Sequence, residues 1–293
     1  MHFDIPPTPF AGLLSAKIKK KPLVVTYHGD WQDNYGGFFR RVGTAVHNRF
    51  LVDKLLNAAN VIISPSKSFI KNSEYLVRFL DKVVVIPNGI DLAKFSVYYS
   101  KNKARELLNL PQESIILLYL GFLSPYKGLD VLIKSFSIII EKYPQAILII
   151  AGKGELREEL ERKAREIHLE NKILFPGFIA EDLKPLYFGA ADIFCLPSSM
   201  STESFGIVNL EAMSFGLPIV ASDIGGIPDI VRSGRNGLLA RPNNIKSFSS
   251  AILSILDNNK LRKRLGENGK KDVIQYSWER IANETEKIYE SIL

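Results

Sequence analysis

The stretch IILLYLGFLSPYKGLDVLIKSFSIIIEKYPQAILIIAGKG, residues 115–154, decides the fold class of this chain. Two short apolar runs, at residues 115–121 and 146–151, flank a segment in which apolar residues recur at helical spacing. Apolar runs that do not alternate with polar residues are typical of strands buried on both faces of a parallel sheet. The order strand, helix, strand therefore predicts a βαβ unit.

The same rhythm continues on both sides of this unit. Further strands are predicted at residues 23–27, 61–64, 83–86, 173–175, 193–196 and 219–221. Helices are predicted at residues 38–57, 67–80, 129–142, 155–168, 181–190, 207–214, 245–257, 260–268 and 278–292. We predict an α/β protein of the doubly wound, Rossmann-like type.

The rhythm breaks between Pro87 and Ser114, where the turn signal PNG is followed by more than twenty residues without an apolar strand run. We place the domain boundary in this segment, with a first domain at residues 1–108 and a second at residues 109–275. About three predicted strands precede the boundary and about five follow it, so the first domain is expected to be short.

The composition is that of a globular protein, with 46% hydrophobic and 24% charged residues in a chain of 293. A single cysteine, Cys195, excludes an internal disulfide and fits a reducing compartment. The histidines have no metal-ligand spacing, and no apolar run reaches the ~18 residues that span a bilayer. We therefore expect a cytoplasmic protein without a protein-built metal site.

The net charge of +7 and the pI of about 9.3 favour anionic partners such as phosphates, acidic lipid surfaces or nucleic acid. A merely basic surface explains the same balance equally well. Basic residues are not interleaved with aromatic ones, so no nucleic-acid partner is expected. The densest cluster, Lys17, Lys19, Lys20 and Lys21, follows the apolar patch FAGLLSA, which motivates the hypothesis of peripheral contact with the inner face of a membrane.

Ligands of open parallel sheets lie beyond the carboxyl ends of the strands, so the segments that follow the predicted strands hold the candidate site residues. After the strand at residues 115–121, Gly121 permits a turn and Lys127 lies near the start of the next helix. Exposed N–H groups and an ammonium at that position suit a phosphate. A solvated loop lysine is the alternative interpretation.

After the strand at residues 146–151, Gly152 and Gly154 begin a GxGxxG pattern that Arg157 interrupts. The incomplete pattern is more typical of a tight strand-to-helix turn than of a dinucleotide site. A nicotinamide oxidoreductase, which needs the completed pattern, is therefore disfavoured.

Two glutamates, Glu203 and Glu211, stand in the nearly uncharged segment SMSTESFGIVNLEAMSFGLPIVASDIGG, residues 199–226. A carboxylate repels phosphate but accepts hydrogen bonds from hydroxyls. The amides of Phe205 and Gly206, at the start of the next predicted helix, suit a diphosphate that lies between the hydroxyls of a sugar and a ribose. A solvated loop acid and a helix-surface acid are the alternative interpretation of the pair.

The segment PSSMSTESFGIVNLEAMSFGLPIVASDIGGIPDIV, residues 197–231, resembles the E-x7-E signature of the family 4 retaining glycosyltransferases. The resemblance continues, in the family's order, through VIPNGIDLAKF, LLYLGFLSPYKGLDVLIKSF, LIIAGKGELREEL, ILFPGFI and SGRNGLLARPNN. It extends from about Leu23 to the C-terminus. It implies the GT-B fold, in which two Rossmann-like domains face each other across a cleft, and a helix at residues 276–293 that crosses back to the first domain.

For the site, the resemblance implies a nucleotide-sugar donor bound by the second domain, with neither a cofactor nor a divalent metal. Glu203 would hold sugar hydroxyls, Glu211 the ribose, and Lys127 the leaving diphosphate. His28, in TYHGD, matches a family histidine on the acceptor side and completes the catalytic set with Glu203 and Lys127, although the residues alone suggest a turn or packing role. The other donor-binding residues would be Gly121, Ser204, Phe205, Gly206 and Ile207.

Two departures from the family pattern leave the activity open. Phe122 stands where the family usually has an arginine, which removes one cation from the diphosphate unless Arg40 or Arg41 replaces it. Only 22 residues precede Leu23, and none reads as the family's first strand and glycine-rich loop.

One hypothesis is an enzyme of polysaccharide biosynthesis that moves a sugar to a saccharide or lipid-linked acceptor. The other is a catalytically weak nucleotide-sugar-binding subunit, or one part of a split enzyme whose partner chain supplies the missing part.

Overall fold

The computed structural model describes residues 8–30, 42, 51–95 and 99–293, and their strands form two parallel sheets. The first sheet contains β1 (Val24–Thr26), β2 (Val61–Ser64) and β3 (Val83–Val85), in the order β1-β2-β3. The second contains β4 (Ile115–Leu120), β5 (Ala146–Ala151), β6 (Ile173–Gly177), β7 (Ile193–Leu196), β8 (Ile219–Ser222) and β9 (Gly237–Ala240). Its order is β6-β5-β4-β7-β8-β9, which confirms the predicted α/β architecture.

Helices connect the strands of both sheets. The α-helices are α1 (Thr8–Lys19), α2 (Asp53–Ala58), α3 (Lys67–Asn72), α4 (Lys101–Leu107), α5 (Leu129–Lys142), α6 (Arg157–Glu166), α7 (Lys184–Ala190), α8 (Val208–Ser214), α9 (Ile227–Ile230), α10 (Ile245–Leu256), α11 (Asn259–Asp272) and α12 (Trp278–Ser291). Short 3-10 turns occupy Leu76–Arg78, Leu92–Phe95, Pro125–Lys127 and Val273–Tyr276. In the described ranges, no helix has the length and apolar character needed to cross a membrane.

The order of the second sheet reverses between β4 and β7, which pair with each other although they are not consecutive in the chain. β4 also pairs with β5, and β7 with β8, so the two halves of the sheet extend in opposite directions from this point. The loops after β4 and β7 meet at one edge, where the amide of Ser199 donates to the carbonyl of Tyr126 at 2.8 Å. Such a reversal is where open α/β sheets bind ligands.

Gly128 permits the close approach of these two loops. Its φ is +65°, a left-handed conformation that favours glycine, and a Cβ at this position would lie 2.2 Å from the carbonyl oxygen of Pro197. Any larger residue would push the loop after β4, with Lys127, away from the loop after β7.

The second sheet carries the larger core. All residues of β5 and β7 are buried, as are those of β4 after Ile115, which explains why these strands lack polar alternation. The hydroxyl of the buried Tyr119 donates to the carbonyl of Phe122 at 2.7 Å. This bond holds the first residues of the loop after β4 in place.

The C-terminal helix α12 contacts the first sheet. Ile281 packs with Ile63 of β2 and with Ile86. Just before the helix, the carbonyl of Tyr276 accepts a hydrogen bond from the amide of Ile90 at 2.8 Å. The divisions of the chain after residues 108 and 275 stay predictions. α4, which lies before the first of them, packs on α7 and joins the core of the second sheet through Ala104.

Among the strands and α-helices, α1, α4 and β9 have no counterpart in the sequence predictions, and α9 is the short helix that the segment VASDIGGIPDIV predicts after Gly225 and Gly226. Ser100 Oγ caps α4 by accepting from the amide of Lys103 at 3.3 Å, and the tertiary contacts of Ala104 and Arg105 stabilise this helix, which has few apolar residues. The predicted helix at residues 67–80 is wrong in its length, since α3 ends where Ser73 becomes extended. The predicted helix at residues 38–57 lies largely outside the described residues, and α2 occupies its described end.

Candidate active site

Lys127 and Glu203, from the loops after β4 and β7, form one ion pair. Lys127 Nζ lies 2.5 Å from Glu203 Oε2, and the two side chains are only 12% and 10% exposed. Ser198 Oγ, which is also buried, donates to the same carboxylate oxygen at 2.8 Å. Two of the predicted catalytic side chains are thus in direct contact.

Lys127 keeps its charge in this buried position. Burial acts to lower the pKa of its ammonium, but the Glu203 carboxylate and the Tyr126 phenol raise that pKa above its ordinary value. Nζ also lies 4.8 Å from the centroid of the Tyr126 ring, within the range of a cation–π interaction. Lys127 is therefore a cation at neutral pH.

Glu211, on α8, is held by a different lysine. Lys184 Nζ, at the start of α7, lies 3.0 Å from Glu211 Oε1 and 3.3 Å from Oε2. The same ammonium lies 2.7 Å from Glu181 Oε1. Burial raises the pKa of Glu211, the Lys184 ammonium opposes this shift only in part, and the negative charge of Glu181 raises the pKa further. Glu203 and Glu211 therefore lie in separate ion pairs rather than around one cation.

Lys184 is a site residue that sequence reasoning missed. In the segment EDLKPLY it looks like one more lysine on a predicted helix. The available signal is its position, because α7 follows the carboxyl end of β6 at the edge of the sheet where ligands bind.

The turn before α8 has unused hydrogen-bonding capacity. Within the described part of the chain, the amides of Phe205 and Gly206 find no acceptor at hydrogen-bonding distance. Asn209 is fully buried, and neither polar atom of its carboxamide has a partner among those residues. Its Nδ2 lies next to Gly206, 2.8 Å from where a Cβ would be. Buried polar groups without partners are uncommon, so this turn is suited to a polar ligand.

A cavity of about 210 Å³ opens beyond the carboxyl ends of β4 and β5. Two exposed aromatic side chains, Phe122 and Phe178, line it together with Gly121, Lys153 and Lys184. Lys153 Nζ lies 5.2 Å from the centroid of the Phe178 ring. Because Lys184 also binds Glu211, the cavity adjoins that carboxylate. Its two aromatic rings, two lysines and Glu181 suit a planar polar group.

The GKG segment after β5 forms a tight turn. Gly152 has a φ of +144°, and a Cβ on it would lie 1.8 Å from the carbonyl oxygen of Gly121. A Cβ on Gly154 would lie 2.3 Å from the carbonyl oxygen of Leu123. The guanidinium of Arg157 donates to the carbonyl of Phe175 at 2.8 Å. These glycines let the loops after β4 and β5 pack on each other, as the tight-turn interpretation predicts.

His28 lies on a groove of about 630 Å³ between the first sheet and α12. Thr26, Asn88 and Glu286 are polar residues of its lining, and Ile63, Ile86 and Ile281 are apolar ones. The next residue after His28, Gly29, adjoins the loop after β7, because a Cβ on it would lie 3.7 Å from the Thr202 carbonyl oxygen and 3.9 Å from Ser204 Cβ. One end of the groove is therefore adjacent to the segment that carries Glu203.

The remaining predicted residues occupy different positions. Gly121 lines the cavity, Ser204 adjoins Gly29, and Ile207 immediately precedes α8 with an exposed side chain. Arg40 and Arg41, considered as replacements for the cation absent at position 122, lie outside the described residues.

Comparison with known proteins identifies relatives over the whole chain. Residues 100–272 match the family model described as glycosyl transferases group 1, and residues 1–94 match glycosyltransferase family 4. The chain is 31% identical over 291 residues to the uncharacterized glycosyltransferase MJ1607 of Methanocaldococcus jannaschii, covering 96% of this chain and 72% of that protein. It is 26% identical over 298 residues to the phosphatidyl-myo-inositol mannosyltransferase of Mycobacterium leprae, covering 100% of this chain and 73% of that protein.

Solved structures share the fold. Sucrose-phosphate synthase from Thermosynechococcus elongatus matches with a TM-score of 0.78 at 26% identity, covering 97% of this chain and 71% of that one. Anabaena Alr3699/HepE in complex with UDP matches with a TM-score of 0.80 at 23% identity, covering 97% of this chain and 76% of that one. The chain thus spans about three-quarters of the length of these relatives.

Proposed function

The chain belongs to the group 1 glycosyltransferases with the GT-B fold, and we propose that it moves a sugar from a nucleotide-sugar donor to an acceptor that enters from the first domain. The observation that carries this proposal is the buried contact between Lys127 and Glu203 at the reversal of the second sheet. The Lys127 ammonium, which suits a diphosphate, and the Glu203 carboxylate, which accepts hydrogen bonds from sugar hydroxyls, lie side by side there. A nucleotide sugar requires both groups.

We propose one orientation of the donor in the site. The base occupies the cavity between Phe122 and Phe178, and the ribose hydroxyls bind Glu211 next to Lys184. The diphosphate binds Lys127, and the sugar hydroxyls bind Glu203. In this orientation, the pair Lys127–Glu203 lies at the sugar end of the diphosphate, and the pair Lys184–Glu211 lies at its ribose end.

The chemistry follows from the charge that develops during transfer. The bond between the anomeric carbon and the phosphate oxygen breaks, and its electron pair stays on the diphosphate, where Lys127 stabilises it. The acceptor oxygen forms the new bond from the leaving-group side, and its proton passes to a phosphate oxygen of the departing diphosphate. This route retains the anomeric configuration and uses no protein nucleophile.

The acceptor enters through the groove that His28 lines. His28 lines this groove, and the next residue, Gly29, adjoins Thr202 and Ser204, so an acceptor hydroxyl bound near His28 would approach the loop that carries Glu203. Its apolar lining residues, Ile63, Ile86 and Ile281, suit an acceptor that carries an apolar portion, and its polar lining residues suit hydroxyls. A saccharide with an attached alkyl or lipid chain fits this lining better than a free sugar does.

A donor screen tests the proposal. The melting temperature of the protein is measured with UDP, GDP and ADP sugars, and nucleoside diphosphate release is then measured with free and alkyl-linked saccharide acceptors. We expect one donor to raise the melting temperature, Glu211→Ala to abolish this shift, and alkyl-linked acceptors to support the fastest release. A protein that neither binds nor turns over any of these donors is not a glycosyltransferase of this type.

A second candidate function is that of a donor-binding subunit which needs a partner chain. The observation that favours it is the first sheet, which has three strands in the described residues with β1 at its edge. An edge strand is a ready template for pairing with another polypeptide. Donor binding without turnover, followed by turnover after addition of a cell extract from the source organism, would support this candidate.

A peripheral membrane location is a further proposal for the same protein. Leu14 and Ile18, one helical turn apart on α1, are 60% and 72% exposed beside the exposed lysines at 17, 19, 20 and 21. An apolar ridge flanked by lysines suits an anionic bilayer. Co-sedimentation with phosphatidylglycerol vesicles should fall in Leu14→Ser/Ile18→Ser, and equal binding by this variant and the wild type would contradict the proposal.

A further inference from the structure

We propose that Asp229 is a positioning residue for Glu203, which acts through a contact that closes the second domain onto the first. Asp229 lies on α9 and Ser68 at the start of α3, and the two are 161 positions apart. Ser68 Oγ donates to Asp229 Oδ1 at 2.5 Å, and the Ser68 amide donates to Oδ2 at 2.9 Å. This inference rests on the proposed glycosyl transfer.

The short segment before Asp229 touches the loop that carries Glu203. The amide of Gly226 donates to the carbonyl of Glu203 at 2.8 Å. A Cβ on Gly225 would lie 2.1 Å from the same carbonyl oxygen, and one on Gly226 would lie 1.8 Å from the carbonyl oxygen of Ser204. The backbone at Gly225 and Gly226 therefore cannot move without moving the backbone of Glu203.

The other side of this segment faces the first domain. A Cβ on Gly226 would also lie 2.5 Å from Ser66 Oγ, which caps α3 by accepting from the amide of Phe69 at 3.0 Å. The amide of Ser68, in the first turn of α3, has no partner within the helix, and Asp229 supplies it. Two bonds from one residue to one carboxylate fix the orientation of α9 on α3.

Domain closure and the placement of Glu203 are coupled by this arrangement. When Asp229 binds Ser68, the glycines hold the Glu203 loop beside Gly29 and the acceptor groove. The groups proposed for the diphosphate and the ribose, Lys127 and Glu211, lie in the second domain. Loss of the contact should therefore slow the transfer step and leave nucleotide binding intact.

Three variants test the coupling, namely Asp229→Ala, Asp229→Asn and Ser68→Ala, with Asp182→Ala as an exposed acid control in the same domain. We expect Asp229→Ala to lower kcat by about tenfold or more, as the loss of a charge-assisted hydrogen bond implies. The Kd for UDP, by calorimetry, should stay within about twofold of the wild type, since the side chains of Lys127 and Glu211 are untouched. Asp229→Asn should recover part of kcat because its carbonyl oxygen still accepts from the Ser68 amide. The double variant Ser68→Ala/Asp229→Ala should be no slower than Asp229→Ala alone.

Small-angle X-ray scattering of the full chain, with and without UDP, gives a readout that does not depend on activity. We expect Asp229→Ala to have a larger radius of gyration than the wild type in at least one of these conditions. Equal radii in both conditions, an unchanged kcat, or a parallel loss of kcat, UDP affinity and melting temperature would each overturn the proposal. If the wild type transfers no sugar, the proposed function fails, whereas the scattering difference still decides whether the contact closes the domains.

Discussion

The ammonium of Lys127 lies 2.5 Å from the carboxylate of Glu203, so the cation proposed for the diphosphate and the acid proposed for the sugar share one buried ion pair. A diphosphate that binds Lys127 must compete with Glu203 for the same ammonium. Under the proposed function, donor binding would exchange Glu203 for the diphosphate as the charged partner of Lys127, and this exchange would free the carboxylate for sugar hydroxyls.

This exchange predicts opposite effects of two substitutions on nucleotide binding. Lys127→Ala removes the cation, so UDP affinity should fall and kcat should fall by about 10²–10³-fold, as for the loss of one oxyanion-stabilising donor. Glu203→Gln removes the competitor, so UDP affinity should stay the same or rise while kcat falls. Calorimetry with UDP and steady-state kinetics measure the two quantities, and Lys246→Ala provides an exposed lysine control. A loss of UDP affinity in Glu203→Gln as large as in Lys127→Ala would contradict the competition.

The raised pKa of Glu211 predicts a pH dependence of stability. Burial raises the pKa of this carboxyl above its ordinary value of 4.5. Between pH 4.5 and the raised pKa, the folded state therefore binds more protons than the unfolded chain does. The contribution of Glu211 to the free energy of unfolding is therefore full below pH 4.5 and is lost as the pH rises through the raised pKa. Urea unfolding of wild type and Glu211→Gln at stepped pH should show this fall only in the wild type.

Donor affinity should have the opposite pH dependence at the same residue. In the proposed donor complex, the ionised carboxylate would accept hydrogen bonds from two ribose hydroxyls, whereas the protonated form would accept fewer. Donor affinity in the wild type should therefore rise across the pH range in which stability falls. Glu211→Gln should bind the donor weakly, and its affinity should not change with pH. Equal pH profiles for wild type and variant would show that Glu211 does not contact the donor.

Phe122 leads to a prediction about a missing cation. The cavity that Phe122 lines is also lined by Lys153, so a positive charge is already present at its edge. Phe122→Arg should tighten UDP binding by about tenfold, because one added charge-assisted hydrogen bond is worth roughly 1.5–3 kcal/mol. Lys153→Ala should weaken binding, and the double variant Phe122→Arg/Lys153→Ala should recover it.

A matched control separates position from net charge in this experiment. Phe178→Arg adds the same guanidinium to the lining from the loop after β6 instead of the loop after β4. We expect a smaller gain in UDP affinity there, because the proposed position of the diphosphate is beside Lys127. Equal gains from both substitutions in calorimetric titrations would mean that only the overall charge matters.

The second sheet was predictable from sequence because its strands are buried on both faces. β5 and β7 begin and end at the predicted residues, since an unbroken apolar run bounded by glycine, proline or a polar residue leaves little choice. β9 was not predicted because GLLA is short and is half-buried in its middle. α4 was not predicted because its stability depends on tertiary contacts of Ala104 and Arg105 that no local pattern encodes.

The sequence predicts which residue types the site contains, but it does not predict which side chains pair with each other. A lysine after one strand and a glutamate after another indicate a charged site, and the reversal of the sheet brings Lys127 and Glu203 together. Their direct pairing, and the pairing of Glu211 with Lys184, depend on side-chain geometry between residues far apart in the chain. The contact of Asp229 with Ser68 is of the same kind, since the domains must fold before it exists.

Asp192 anchors α4 to the second sheet, and this gives a prediction about stability. Its buried carboxylate accepts from Arg105 Nη2 at 2.8 Å, from Lys101 Nζ at 2.7 Å and from the amide of Ile116 at 2.8 Å. Asp192→Ala would leave the buried Arg105 without its counter-ion, and removing one partner of a buried pair costs about 3–5 kcal/mol. Urea unfolding should show a loss of this size. Glu166→Ala, which removes the partner of Arg162 in an exposed pair, should cost no more than about 1 kcal/mol.

The double variant Asp192→Leu/Arg105→Met distinguishes a buried charge from a packing defect. Replacing both charged groups by apolar ones leaves no uncompensated ion, so the double variant should be clearly more stable than Asp192→Leu alone. If the double variant is instead as unstable as the two single changes added together, the ion pair is not what holds α4 in place. In that case the packing of Ala104 against α7 carries the attachment, and Ala104→Gly should then show the larger loss of stability in the same urea experiment.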